Sequence, residues 1–291
     1  MAAVEATVRD TWRGALSLSF TAAAHGTVLA KRRHEGPFCV QRPFYPGDGA
    51  AHVYLLHPPG GLAGGDELVL DVGVEPNAAA LLTTPAATKF YRSDGAPSVQ
   101  RQTLRVVAGA SLEWLPLDTI LFGGSRARIE TDVELEAGAR FIGWEQLSLG
   151  RPLSGDRYAA GTFEQHTRIG VAEEPLLIES LRWTAGDRLL TAEWGLASFG
   201  VCGALYAYPV HDPLLVRVRE RLGAATPSLE QPDAGGDPRL RCGATLLGEL
   251  LVVRCLAAAP EDLRNLFEAL WRALRPAVLG RAPSAPRVWK T

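Results

Sequence analysis

The stretch Arg128-Ile-Glu-Thr-Asp-Val-Glu-Leu135 constrains the fold more than any other feature, because its side chains alternate without a break. Ile129, Thr131, Val133 and Leu135 fall on one side, and Arg128, Glu130, Asp132 and Glu134 on the other. A helix would scatter both sets around its circumference, whereas a strand with one buried face keeps them apart. Leu68, Leu70, Val72 and Val74 repeat the pattern opposite Asp71 and Glu75. Further strands are expected at Leu16 to Phe20, His52 to His57, Val99 to Val107, Ser111 to Leu117, Arg140 to Leu149, Phe163 to Ile169, Leu176 to Arg182 and Leu246 to Leu256.

The pairs Gly49-Ala50, Asn77-Ala78, Gly109-Ala110 and Gly138-Ala139 each sit at a turn between strands and recur every 28 to 32 residues. That period suits stacked units, each covering the apolar face of its neighbour. The plainer alternative is glycine and asparagine recurring at ordinary hairpins. The expected fold is therefore mainly β, a stacked, solenoid-like or layered sheet structure, with two short amphipathic helices near the C-terminus. One helix starts at Asp212-Pro213 and is ended by Gly223; the other starts after Pro260 and stops before Pro276, with Arg272 and Arg275 near its end. Residues 224–239, rich in Pro, Gly and Asp, are expected to form a mobile loop, and residues 281–291 an extended tail, within a single domain spanning 1–291.

Thirty Lys+Arg against 32 Asp+Glu leave a net charge of −2, which offers no overall attraction to nucleic acid or to an anionic membrane. No signal-peptide h-region and no long uncharged apolar run is present, so a cytoplasmic location is expected. Cys39, Cys202, Cys242 and Cys255 form no CxxC pair and are expected to be free thiols.

Signs of catalysis are weak. The run His57-Pro-Pro-Gly-Gly-Leu-Ala-Gly-Gly-Asp66 lacks the Gly-Lys-Ser/Thr ending of a phosphate-binding loop, and its glycines are expected to let the backbone turn and pass close to another segment. His52 and His57 differ by an odd number of residues and would point to opposite faces of one strand. No GxSxG elbow exists, and no carboxylate pair at a recognisable spacing favours a glycan-cleaving β-solenoid. More informative are carboxylates within apolar strands: Glu113 in Ser-Leu-Glu-Trp-Leu, Glu145 in Phe-Ile-Gly-Trp-Glu-Gln-Leu and Glu179 in Leu-Leu-Ile-Glu-Ser-Leu. A buried carboxylate needs a partner, hydration or a cation. Either an arginine such as Arg126, Arg128 or Arg182 pairs with it, or the strands line a hydrated acidic passage that binds a divalent cation weakly and releases it.

Five segments carry a resemblance: His57 to Asp66, Leu82-Thr-Thr-Pro-Ala-Ala-Thr-Lys-Phe-Tyr-Arg-Ser93, Leu112-Glu-Trp-Leu115 with Pro116, Gly150-Arg-Pro152, and the ending Pro286-Arg-Val-Trp-Lys-Thr291. Together, from about Trp12 onward, they resemble the UreD (UreH) family of urease accessory proteins. The resemblance implies a non-enzymatic urease maturation chaperone that docks apo-urease and UreF, reaches the GTPase UreG through UreF within a dimeric accessory complex, and helps deliver nickel to urease. No cofactor is expected to be tightly bound, nickel being held only in transit.

Position by position, the resemblance singles out Asp66, Thr88, Glu113, Glu145 and Glu179 as candidate nickel-transit residues. Gly60, Gly61, Tyr91, Arg92, Arg151 and Trp289 are candidate interface residues. The sequence departs from the family pattern at Leu117-Asp118, where Gln-Glu is more usual, and at Ser148, where a cysteine is frequent, so no cysteine ligation is expected. The alternative is a pure scaffold for the activation complex, with no part in nickel transit.

Overall fold

The computed structural model describes residues 11–225 and 239–290. Strand β1 (Arg13–Ala23) forms an antiparallel hairpin with β2 (Gly26–Glu35), followed by the short β3 (Cys39–Val40). The chain then winds: β4 (Ala51–Leu56), β5 (Glu67–Val74), β6 (Ala79–Thr83), β7 (Thr88–Phe90), β8 (Ser98–Val106), β9 (Ser111–Leu115), β10 (Thr119–Leu121), β11 (Ser125–Leu135), β12 (Arg140–Leu149) and β13 (Gly161–Val171). Successive coils stack in parallel. β5, β8, β11 and β13 build one sheet, β4, β6, β9 and β12 the other, and β7 and β10 a short third side.

Antiparallel strands finish both sheets. β14 (Glu174–Thr184) closes the first, in the order β14-β13-β11-β8-β5-β1-β2. β15 (Val201–Tyr208), β16 (Leu240–Leu247) and β17 (Leu250–Ala257) extend the second, in the order β16-β17-β15-β12-β9-β6-β4-β3. The stacked-unit expectation holds, and the turn pairs are its corners. Asn77, Gly109 and Gly138 take positive φ of 60°, 74° and 84°. Ala78, Ala110 and Ala139 turn a buried Cβ inward, while Ser111 N donates to Ala78 O and Arg140 N to Ala110 O, both at 3.0 Å. At the first corner the hairpin substitutes for a preceding coil: Thr27 N donates to Gly49 O, and Thr27 Oγ1 accepts from Ala79 N at 2.7 Å.

The molecule has three layers. One core lies between the two sheets, and a second lies between the longer sheet and the helices α2 (Asp212–Ala225) and α3 (Pro260–Leu279); α1 (Arg188–Thr191) is a single turn. The outward face of the seven-stranded sheet is laced with ion pairs, such as Arg105 to Asp71 at 2.7 Å and to Glu134 at 3.0 Å.

Several boundaries differ from expectation. α2 runs through Gly223 to Ala225, and residues 226–238 of the expected mobile loop lie outside the described residues. α3 is neither short nor stopped by Pro276; it continues one more turn because Val278 and Leu279 pack into the outer core, and Gly280 N then caps Pro276 O. Leu246 to Leu256 is a hairpin rather than one strand, turning at Gly248 with φ 58°. In the expected tail, Arg287–Lys290 forms a turn of 3-10 helix.

Candidate functional site

Inward positions of the seven-stranded sheet form ladders along the stack. Val72, Leu104, Val133 and Ile169 make an apolar rung. The next two rungs on one side of it change character along their length. One passes from Leu70 to Gln102, Thr131, Thr167 and finally Glu179; the other from Leu68 to Gln100, Ile129 and Gln165. Polar side chains at inward positions of buried strands need partners. For Gln102, Thr131, Gln165 and Thr167 it is Glu145, which reaches across the interior from β12.

Glu145 Oε1 accepts from Thr131 Oγ1 at 2.5 Å and from Gln102 Nε2 at 3.5 Å. Its Oε2 accepts from Gln165 Nε2 at 2.5 Å and from Thr167 Oγ1 at 3.4 Å. All four are neutral, and among the described residues no arginine or lysine makes an ion pair with Glu145. Burial pushes its carboxyl above the ordinary range, opposed by the hydrogen bonds from Thr131, Thr167 and Gln165 and reinforced by the Glu179 charge.

Glu145 also stands between two cavities. One, of about 200 Å³, is lined by His57, Gly60, Thr88, Gln100 and Trp114; the other, of about 420 Å³, by Thr167, Glu179, Cys202 and Tyr206. Glu145, Leu147 and Gln165 line both. Glu179, at the far end, pairs with Arg254 from β17 at 3.0 Å. Of the five expected transit residues, Thr88 and Glu145 line the smaller cavity, and Glu145 and Glu179 the larger.

It does not bring Glu113 or Asp66 there. Glu113 lies on the opposite face of the ten-stranded sheet, under α3. Its carboxylate receives Arg275 Nε at 2.9 Å, Arg275 Nη2 at 2.9 Å and Trp271 Nε1 at 2.6 Å. Arg275 is fully buried and also donates to Asp48 at 2.7 Å and to the carbonyl of Ala282. Burial favours a higher Asp48 pKa, but hydrogen bonds from His52 and Arg275 outweigh it and hold that carboxyl well below its usual range. An arginine partner exists, as one expectation had it, but not Arg126, Arg128 or Arg182; those meet Gly95 O, Glu130 and Glu164.

Asp66 is a buried turn cap, accepting from Ala63 N at 2.7 Å and from Trp12 N at 3.5 Å. The glycines before it allow close passage by residues of this same chain. A Cβ on Gly61 would lie 2.5 Å from the Tyr91 ring, and one on Gly64 2.2 Å from Ser93 Oγ. Of the interface candidates, Gly60 lines the smaller cavity, Arg92 is exposed, and Arg151 lies 3.8 Å over the Phe122 ring, which Tyr91 meets edge-on. Trp289 packs instead within the outer core, against Trp144 and Trp271, and donates to Thr83 Oγ1 at 3.1 Å.

The two departures from the family pattern meet each other. Ser148 Oγ donates to Asp118 at 2.6 Å, and burial pushes the Asp118 carboxyl up to about 7, opposed by that hydrogen bond. Burial likewise pushes the nearby Cys202 thiol up to about 12, which keeps it protonated. All four cysteines are free, and among the described residues no three His, Cys, Asp or Glu side chains gather as a metal-ligand cluster. Gln102, Thr131, Gln165, Thr167, Arg275, Asp48 and His52 escaped the sequence reasoning; Thr131, in phase with Ile129 and Val133, was the one visible signal.

Fold and site together define a class: a layered β-solenoid with a buried carboxylate, Glu145, on the wall shared by two cavities. Comparison with known proteins narrows it. The family model for the UreD urease accessory protein matches residues 13–290. A urease accessory protein UreD of Alkalilimnicola ehrlichii is 47% identical over 98% of this chain and 94% of its own length. Those of Aliivibrio fischeri and Klebsiella aerogenes are 41% and 40% identical over 96% of this chain, and over 96% and 97% of their own lengths. The chain belongs to the UreD family of urease accessory proteins, which gives it a role in urease maturation. No helix among the described residues is long and apolar enough to cross a membrane.

Proposed function

We propose that this chain is a non-enzymatic maturation factor that docks apo-urease and UreF and passes nickel, released by the GTPase UreG, through its interior to urease. The observation that carries this is Glu145: a carboxylate between two cavities, satisfied by hydroxyls and amides and free of any competing guanidinium among the described residues. Neutral donors can rotate aside when a cation arrives, whereas a bidentate arginine would have to be displaced. Thr88 lines the first cavity, and Glu179, whose pair with Arg254 uses Oε1, lines the second, so oxygen atoms are spaced along the lane and none forms a closed site that would trap the ion.

The test is nickel loading of urease in cells lacking this chain and supplied with Glu145→Gln or Glu179→Gln. Loading is expected to fall about tenfold, the effect of losing some 1.4 kcal/mol of transit-state binding, while the complex with UreF still forms. Full loading by both variants would leave a scaffold role, with no part in transit.

A further inference from the structure

Cys242 and Cys255 face each other across the β16–β17 hairpin. They are register partners on neighbouring antiparallel strands, and both belong to the core under the helices. Residues placed directly opposite have Cα atoms about 4.5–5.5 Å apart, within the span of about 4.4–6.8 Å that a disulfide bridges. The backbone therefore already stands where a bond between the two sulfurs needs it. The other two cysteines have no thiol opposite: Cys202 lies against Leu147 and Leu256, and Cys39 against Leu56.

The two thiols are unequal. Cys255 is 3% exposed, whereas Cys242 is half-buried. Burial, with the Cys242 thiol adding to it, pushes the Cys255 thiol up, so Cys255 stays protonated at neutral pH. Both also line the larger cavity, through which a small oxidant can enter. An accessible thiol beside a second, buried one is the arrangement in which a sulfenic acid is captured before it oxidises further. We propose that Cys242 and Cys255 form a reversible oxidation site for hydrogen peroxide, closing to a disulfide. The Cys242 sulfur attacks the peroxide, its O–O bond breaks, and the products are a sulfenic acid and one water. The Cys255 sulfur then attacks the Cys242 sulfur; the S–S bond forms, the S–O bond breaks, and the leaving hydroxide takes the Cys255 proton as a second water. The thiol pair loses two electrons and the peroxide gains them, and a dithiol reductant reverses the oxidation. The bond fastens β16, the end strand of its sheet, to its neighbour β17. The site uses none of the oxygens around Glu145 and stands whether or not nickel passes.

The test is treatment of the folded full chain with excess hydrogen peroxide, followed by thiol titration and peptide mass mapping. Titratable thiols are expected to fall from four to two, and dithiothreitol to return them all. The map is expected to hold a linked Cys242–Cys255 peptide. In Cys255→Ser the sulfenic acid at Cys242 should persist and be captured by dimedone, and in Cys242→Ser no linked peptide should form. Four surviving thiols, oxidation of Cys242 past the sulfenic acid with Cys255 left free, or a disulfide that runs only between chains through Cys39 each overturn the proposal. Should either variant fail to fold, the map of the unaltered chain decides by itself.

Discussion

Glu113 and Glu145 lie on adjacent strands of one sheet and are both withdrawn from bulk water, yet they have opposite surroundings. Glu113 faces the helix layer and is clamped by Arg275 and Trp271, with Asp48 and His52 completing a charged knot that ties α3 and the following segment to the sheet. Glu145 faces the interior and meets only Thr131, Thr167, Gln102 and Gln165. The first arrangement fixes structure, because a full counter-charge at 2.9 Å leaves nothing for a ligand. The second leaves a carboxyl satisfied by neutral groups and held by no counter-charge. Burial of a carboxylate alone is therefore no sign of a passage.

The largest expected effect breaks the clamped side. Glu113→Gln leaves the Arg275 guanidinium without its main counter-charge, and removing one partner of a buried pair costs about 3–5 kcal/mol, read as a lower urea midpoint. The double change Glu113→Leu with Arg275→Met should recover only part of that loss, because an apolar pair can replace the ion pair but leaves Trp271 Nε1 and Asp48 without these partners.

Glu145→Gln should behave differently. A carboxyl with a raised folded pKa holds its proton more tightly than the unfolded chain does, so it contributes stability at low pH that is lost as pH rises through the folded value. The variant should match the wild type near about pH 4 and unfold at a higher temperature near about pH 8. A melting point at pH 8 below that of the wild type would place Glu145 with Glu113 as a structural charge. The effect most confined in pH is expected at Asp118, whose carboxyl burial pushes up to about 7. Asp118→Asn should flatten the fall in stability between about pH 4 and pH 7 that this group causes, with the wild-type slope retained in Ser17→Ala on the outer sheet face as a control.

Much of the fold was legible. Half-buried strands such as β5 and β11 alternate plainly, and the corner pairs carry their own period. The difference between Glu113 and Glu145 was not legible, for a physical reason. β9 and β12 are covered on both faces, so apolar residues stand on either side and the alternation that would tell inside from outside is erased. In Ser111-Leu-Glu-Trp-Leu115, Leu112 and Trp114 face the sheet interior while Leu115 faces the helices, yet all three read alike. Arg275 was misread for a related reason. A cation in the last turn of a helix suits the helix dipole, and nothing local reveals that this one lies inside, 162 residues from its partner.

The corners and rungs have one more consequence. Because the polar positions that do occur fall on the same two rungs, any lane they form runs across the strands, and its length is set by how many coils carry them, about 4.8 Å for each. Its cross-section is set separately, by which residues fill those rungs. Duplicating or deleting one coil would change the distance spanned and leave the chemistry of each step as it was, much as a pipe is lengthened by adding identical tiles.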